Sequence, residues 1–124
     1  MDEKWVEKES ERLAKKYPTF GKDLGGSGTM CQQWPAKGVR TPAPIHAKGS
    51  SPIVVVGTTG DPATPYAWSE SLNEQLDNSV LLTYEGNGHT AYGRSGGCIE
   101  EAVDAYFVEG TVPKDGLRCK PAQS

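Results

Sequence analysis

No stretch of this sequence approaches the roughly 18 consecutive apolar residues that a membrane-spanning helix requires, so no membrane span is expected. Basic clusters are missing as well. The 13 Lys and Arg are outnumbered by 16 Asp and Glu, the net charge is −3, and nothing provides an electrostatic footprint for nucleic acid. Met1 is followed by Asp2-Glu3-Lys4 rather than by a basic and then apolar leader, so no export signal is expected in this chain. Cysteine is scarce. Three cysteines, with no CxxC pair and no histidine at ligand spacing, exclude a zinc site of that kind, and no metal or other cofactor is expected. The count fits one disulfide and one leftover thiol whose partner lies elsewhere. With 35% apolar residues, 15 Gly and 9 Pro in 124 residues, the chain has room for one domain with a thin core.

The apolar residues that are present concentrate in three places, Ile53 to Val56, Val80 to Leu82 and Ile99 to Val108. Ile53-Val54-Val55-Val56-Gly57 shows no polar alternation, which predicts a strand buried on both faces, as in a parallel sheet covered by helices. Ser79 to Tyr84 predicts a second strand. Between them Pro65 to Leu76 predicts a helix, with Thr64 suited to the N-cap, Pro65 to the first helical position, and Trp68, Leu72 and Leu76 forming a buried stripe. Two parallel strands joined by a helix make a βαβ unit, whose functional residues gather beyond the carboxyl ends of the strands.

Asp61 follows the first strand and His89 follows the second. Gly-Asp-Pro is turn chemistry in its own right, so Asp61 alone reads as an Asx-turn residue. His89 alone reads as an exposed loop histidine between glycines. Together, at matching positions after successive strands, they correspond to the second and third members of the hydrolase order Ser, Asp, His. Thr64 and Pro65 stiffen the loop of Asp61, as a triad carboxylate must hold an imidazole in one tautomer. His46, ahead of the first strand, reads as a linker residue.

A nucleophile is the missing member. Gly93-Arg94-Ser95-Gly96-Gly97 matches Gly-x-Ser-x-Gly literally, but the elbow requires a strand running into the serine and precedes the acid and base in the chain. Ser95 follows His89 with no strand between them, so it is expected to be a decoy. Gly25-Gly26-Ser27-Gly28 lacks the second glycine at the required spacing. No nucleophile is therefore expected in this chain.

The flanks are less regular. Asp2 to Tyr17 has helix composition with a weak apolar side of Trp5, Val6, Leu13 and Tyr17, ended by Pro18. Thr19 to Ser51 has loop composition, and Trp34 within it is expected to cover an edge of the core. Gly96 to Val108 predicts a C-terminal helix with Ile99, Val103, Tyr106 and Phe107 inward and Gly110 as its stop. Thr111 to Cys119 then folds back, which leads to the expectation of a Cys98 to Cys119 disulfide and a free Cys31.

Pro52 to Pro65, Gly86-Asn87-Gly88-His89-Thr90-Ala91-Tyr92, and Cys98 through Gly110-Thr111-Val112-Pro113 to Cys119 resemble the C-terminal domain of tripeptidyl-aminopeptidase-like α/β-hydrolases, which are exported serine peptidases and esterases. The resemblance is dense from Ser51 to Cys119 and looser from Cys31 to Trp34. It implies an α/β class chain with a partial α/β-hydrolase fold, the C-terminal strands and helices of a mostly parallel sheet. It further implies Asp61 as triad acid, His89 as triad base, and a Cys98 to Cys119 disulfide. Residues 1–50 would form the end of a lid region and the return to the core, and residues 51–124 the C-terminal domain.

The family's nucleophile elbow lies in an N-terminal half, which is the expected partner on the same or a separate chain; a peptide is the expected substrate of the complete, secreted or cell-envelope enzyme. The isolated chain is expected to be inactive, and to be either only marginally folded or self-associated through the open edge of its first strand. A non-catalytic binding or scaffold module on the same framework is the competing expectation.

Overall fold

The computed structural model describes residues 3–25, 34–36 and 38–121. The chain forms two compact units, Met1–Pro42 and Ala43–Ser124.

In the first unit, helix α1 (Glu3–Lys16) turns through Pro18 into a short helix α2 (Gly21–Gly25). The inner face of α1 is Val6, Ser10 and Leu13; Val6 is 5% exposed, whereas Trp5 and Tyr17 are about half exposed. Helix α2 stands where loop composition predicted none. Two close approaches make it possible: a Cβ on Gly21 would clash with the Leu13 carbonyl, and one on Gly25 would lie 2.8 Å from Ser10 Cα. The Ser10 hydroxyl donates across the turn to the Lys22 carbonyl at 2.9 Å. Trp34 belongs to the first unit and is 70% exposed. Cys31 and Ser27 lie outside the described residues.

The second unit is a three-stranded, fully parallel sheet in the order β1 (Ile53–Gly60), β2 (Ser79–Asn87), β3 (Leu117–Cys119). Helix α3 (Tyr66–Gln75) connects β1 to β2, and helix α4 (Cys98–Glu109) connects β2 to β3. Parallel neighbours require such crossovers, because no tight turn can reverse the chain twice. Pairing runs from Ile53 opposite Ser79 to Thr58 opposite Tyr84, then shifts so that Gly60 faces Asn87. Strand β3 was not foreseen; its three residues carry too little periodicity, and pairing with Leu82, Thr83 and Tyr84 alone defines it.

The core lies between the sheet and α4, where Leu82 and Ile99 are fully buried beside Val103, Ala91 and Cys119. Cys98 and Cys119 are joined by a disulfide with Cα atoms 5.7 Å apart, tying the start of α4 to the end of β3. Gly110 ends α4 in the left-handed conformation at φ 70°, which glycine adopts without a Cβ penalty. The expected inner face needs one correction. Phe107 is 78% exposed, because it lies about 80° around the helix from Ile99 at 100° per residue; Tyr106, about 20° from Ile99 on the other side, donates its hydroxyl to the Pro52 carbonyl at 2.6 Å.

Helix α3 departs further from expectation. Trp68 is 63% and Leu72 40% exposed, and the inward face is instead Tyr66, Ser69 and Asn73. Gly57 decides this. A Cβ there would stand 2.8 Å from both Ser69 Cβ and a Tyr66 ring carbon, so the missing side chain admits the helix on that face. Tyr66 then reaches the nearly buried Thr83 hydroxyl at 2.7 Å. Helix α3 begins one residue later than predicted, at Tyr66, with Pro65 as its cap and no side-chain capping bond. The two-sided burial expected of β1 is partial: Val55 is 7% exposed, while Val54 and Val56 stay half-buried beside a groove edged by Val103, Tyr106 and Phe107.

Candidate active site

Parallel pairing of β1 and β2 brings their carboxyl ends together. The Gly88 N–H donates to the Gly60 carbonyl at 3.1 Å, and a Cβ on Gly60 would strike Asn87. The chains leaving these two ends carry Asp61 and His89.

The Asp61 side chain is only 3% exposed and is surrounded by donors. Its Oδ1 accepts the backbone N–H groups of Ala63 at 2.8 Å and Thr64 at 2.9 Å, the geometry of an Asx turn. Its Oδ2 accepts the Thr64 hydroxyl at 2.8 Å and the Thr90 N–H at 3.1 Å. These bonds, the Thr64 N–H foremost and then those of Thr90 and Ala63, outweigh burial and hold the carboxyl well below the usual carboxylate range. Asp61 is therefore an anion throughout the pH range in which an imidazole titrates. The turn chemistry and the strand-end pairing, which the sequence presented as alternatives, coexist in this one side chain.

His89 Nδ1 lies 3.1 Å from both Oδ1 and Oδ2 of Asp61. An ionised carboxylate can only accept, so Nδ1 carries the proton and the lone pair of the neutral ring resides on Nε2. The ring is about half exposed, which leaves it open to a reacting group. Beside the pair, Thr58, Thr64, Ser69, Thr90 and Tyr92 line a small cleft with Asp61.

The loop after His89 is fixed from both ends. Thr90 adopts φ 69°, unusual for a β-branched residue, and in doing so aims its N–H at Asp61. Arg94 donates from Nη1 to the His89 carbonyl at 2.5 Å, and Gly88, at φ 117°, leaves room for that guanidinium. At the far end Glu100, in the first turn of α4, accepts the N–H groups of Ser95 and Gly96 and the Ser95 hydroxyl at 2.6 Å. The Ser95 hydroxyl bond, with these N–H groups, keeps Glu100 below the ordinary carboxylate range.

Ser95 is 5% exposed, follows a turn rather than a strand, and donates to a carboxylate. These bonds tie the Ser95 turn to the first turn of α4, whose N-cap is Gly97. His46 stands at the entry to β1, where its Nδ1 lies 3.4 Å from Asp77 and its carbonyl accepts the Asp77 N–H. It is away from the pair formed by Asp61 and His89. Sequence reasoning did not single out the Thr64 hydroxyl, the Thr90 N–H or Arg94; the spacing of Asp61 and Thr64 could have suggested the first.

Comparison with known proteins follows the same residues. The TAP-like protein family matches residues 17–119. Carboxylesterase B of Mycobacterium tuberculosis is 37% identical over 119 residues, 94% of this chain and 23% of that protein. Serine protease Hip1 of the same organism is 42% identical over 105 residues, 83% of this chain and 20% of that protein. Tripeptidyl aminopeptidase of Streptomyces lividans is 28% identical over 128 residues, 97% of this chain and 24% of that protein. The chain thus spans less than a quarter of the length of these relatives. On the match across most of its length, and with a parallel sheet and helices to carry it, this chain belongs to the TAP-like family of α/β-hydrolases, as their C-terminal domain.

Proposed function

We propose that this chain supplies the acid and the base of a Ser-Asp-His triad to a secreted serine hydrolase that releases short peptides from amino termini or cleaves esters. The nucleophilic serine is supplied by an N-terminal part of the hydrolase, on the same or a separate polypeptide. The observation that carries this reading is the Asp61 carboxylate 3.1 Å from His89 Nδ1 at the ends of two adjacent parallel strands. His89 Nε2 takes the serine proton as the hydroxyl attacks the carbonyl, then returns it to the leaving group. Asp61 stays ionised and stabilises the imidazolium. Residues 51–124 act as the catalytic C-terminal domain, and residues 1–50 as the end of a lid and the return to the core.

Two further observations support the assembly. On its side away from β2, strand β1 has no neighbour among the described residues, and its half-buried Val54 and Val56 border the groove beside α4. A strand from the N-terminal part would complete both. The Cys98 to Cys119 disulfide is suited to an oxidising compartment.

The test joins this segment to a nucleophile-bearing N-terminal part and assays tripeptide amides beside short-chain esters. Asp61→Asn and His89→Gln should each lower kcat by about a thousandfold or more. Full activity of either variant would refute the assignment. The isolated chain should take no fluorophosphonate label, and labelling at Ser95 would make Ser95 the nucleophile instead.

A further inference from the structure

A single peptide unit at the site is held from both ends. The His89 carbonyl accepts Nη1 of Arg94 at 2.5 Å, and the N–H of the same unit, that of Thr90, donates to Asp61 Oδ2 at 3.1 Å. A guanidinium and a carboxylate are thus joined through one amide, each bound to the end that its charge favours. The arrangement requires Thr90 at φ 69°, which its branched side chain disfavours. Turning this peptide over would carry φ to about −110°, in the extended region open to any residue. The charged bond from Arg94 opposes that turn on the carbonyl side.

We propose that Arg94 is a positioning residue: it locks the His89–Thr90 peptide in the orientation that presents its N–H to Asp61, and so keeps the imidazole on the carboxylate. For its effect on turnover the inference rests on the acid and base assignment above. Hydrogen bonds in series polarise one another, so the bond to the carbonyl strengthens the N–H as a donor. With the peptide turned, the His89 carbonyl oxygen would face Asp61 Oδ2, acceptor against acceptor, and the loop would draw the histidine away.

The surroundings hold Arg94 to this task. Its backbone N–H and that of Ser95 both bond the Ala91 carbonyl at 2.9 Å, and Glu100 ties Ser95 and Gly96 to the first turn of α4. Ser95, whose motif suggested a nucleophile, thereby anchors the turn that carries the arginine. Gly88 leaves the space, since a Cβ there would stand 2.6 Å from Nη2 of Arg94. Among the described residues no carboxylate forms an ion pair with Arg94, so its charge is left for the carbonyl.

The isolated chain provides the first measurement. NMR follows the exchange of the Thr90 N–H with water and the Cα–Hα coupling of Thr90, which distinguishes positive from negative φ. Arg94→Met, which keeps the length and removes every donor, should speed that exchange about tenfold or more and shift the coupling to that of an extended residue. The Ala63 N–H, bound to the other oxygen of Asp61, and the ladder amides of β1 and β2 should not change. Arg94→Lys should recover part of the protection, and Arg94→Ala serves should the methionine variant fold poorly. Unchanged exchange at Thr90, a loss shared by Ala63 and the ladder amides, or no recovery with lysine overturns the role given to Arg94.

Activity separates the two levels. Joined to the nucleophile-bearing part, Arg94→Met should lower kcat about tenfold with KM nearly unchanged, because the imidazole rather than substrate binding is disturbed. If Asp61→Asn and His89→Gln keep full activity, the triad reading fails. If both lose activity while Arg94→Met keeps its kcat, only the inference about Arg94 fails.

Discussion

Thr90 holds its backbone at φ 69° and in that conformation its N–H meets Asp61 Oδ2 at 3.1 Å, so the residue after the histidine is bent to serve the carboxylate. A left-handed conformation costs an L-residue roughly 1 to 2 kcal/mol, more than the extra chain entropy of glycine. Thr90→Gly should accordingly unfold at higher urea concentration, by about 0.5 kcal/mol or more. A lower midpoint than that of the parent chain would show that the threonine side chain contributes contacts exceeding its strain.

The Cys98 to Cys119 bridge closes a loop that contains all of α4 and the approach to β3. Because Cys119 is 2% exposed and packs with Leu82 and Ile99, its loss affects the core as well as the loop. Reduction, or replacement of both residues by alanine, should lower stability by about 3 kcal/mol. Urea unfolding with and without reductant measures this. Peptide mapping of the unreduced protein should recover Cys98 linked to Cys119 and Cys31 as a free thiol; a Cys31 to Cys119 linkage would contradict the fold.

Acid should act through Asp61. Its folded pKa is depressed below the unfolded value near 3.9. A group of that kind contributes stability that is fully present above the unfolded pKa and is lost as pH falls through the folded one. The chain should therefore keep constant stability from this source above about pH 5 and weaken as the pH drops below about 4. Asp61→Asn should flatten that part of the profile. Equal slopes for the two proteins in acid urea titrations would remove Asp61 as the cause.

The open side of β1 predicts association. Its N–H and C=O groups lack a ladder on that side among the described residues, and no charge or proline interrupts Ile53 to Val56. Such an edge recruits another chain. Sedimentation of the isolated chain should show mass rising with concentration, and Val54→Lys, which places a charge beside the groove, should suppress it. A monomer across the whole series would mean that the edge is covered.

Much of the second unit was legible because its information is local. Ile53 to Val56 and Val80 to Leu82 are apolar without interruption, and the parallel sheet they form follows from that pattern. Asp61 and His89 were readable as a pair because each follows a strand, and parallel strands carry their exits to the same side. Gly110 announced the end of α4 through its freedom at positive φ. Tertiary structure alone decided which way the helices face. Trp68 and Leu72 have the spacing of a buried stripe, yet the space above Gly57 draws Tyr66 and Ser69 inward and turns the tryptophan to solvent. Strand β3 exists only because Leu117 to Cys119 finds an edge of β2 to pair with. The same holds at the site. A carboxylate's charge depends on donors counted in space, and the Thr90 N–H, distant from Asp61 in the chain, reaches it only after the two strands have paired.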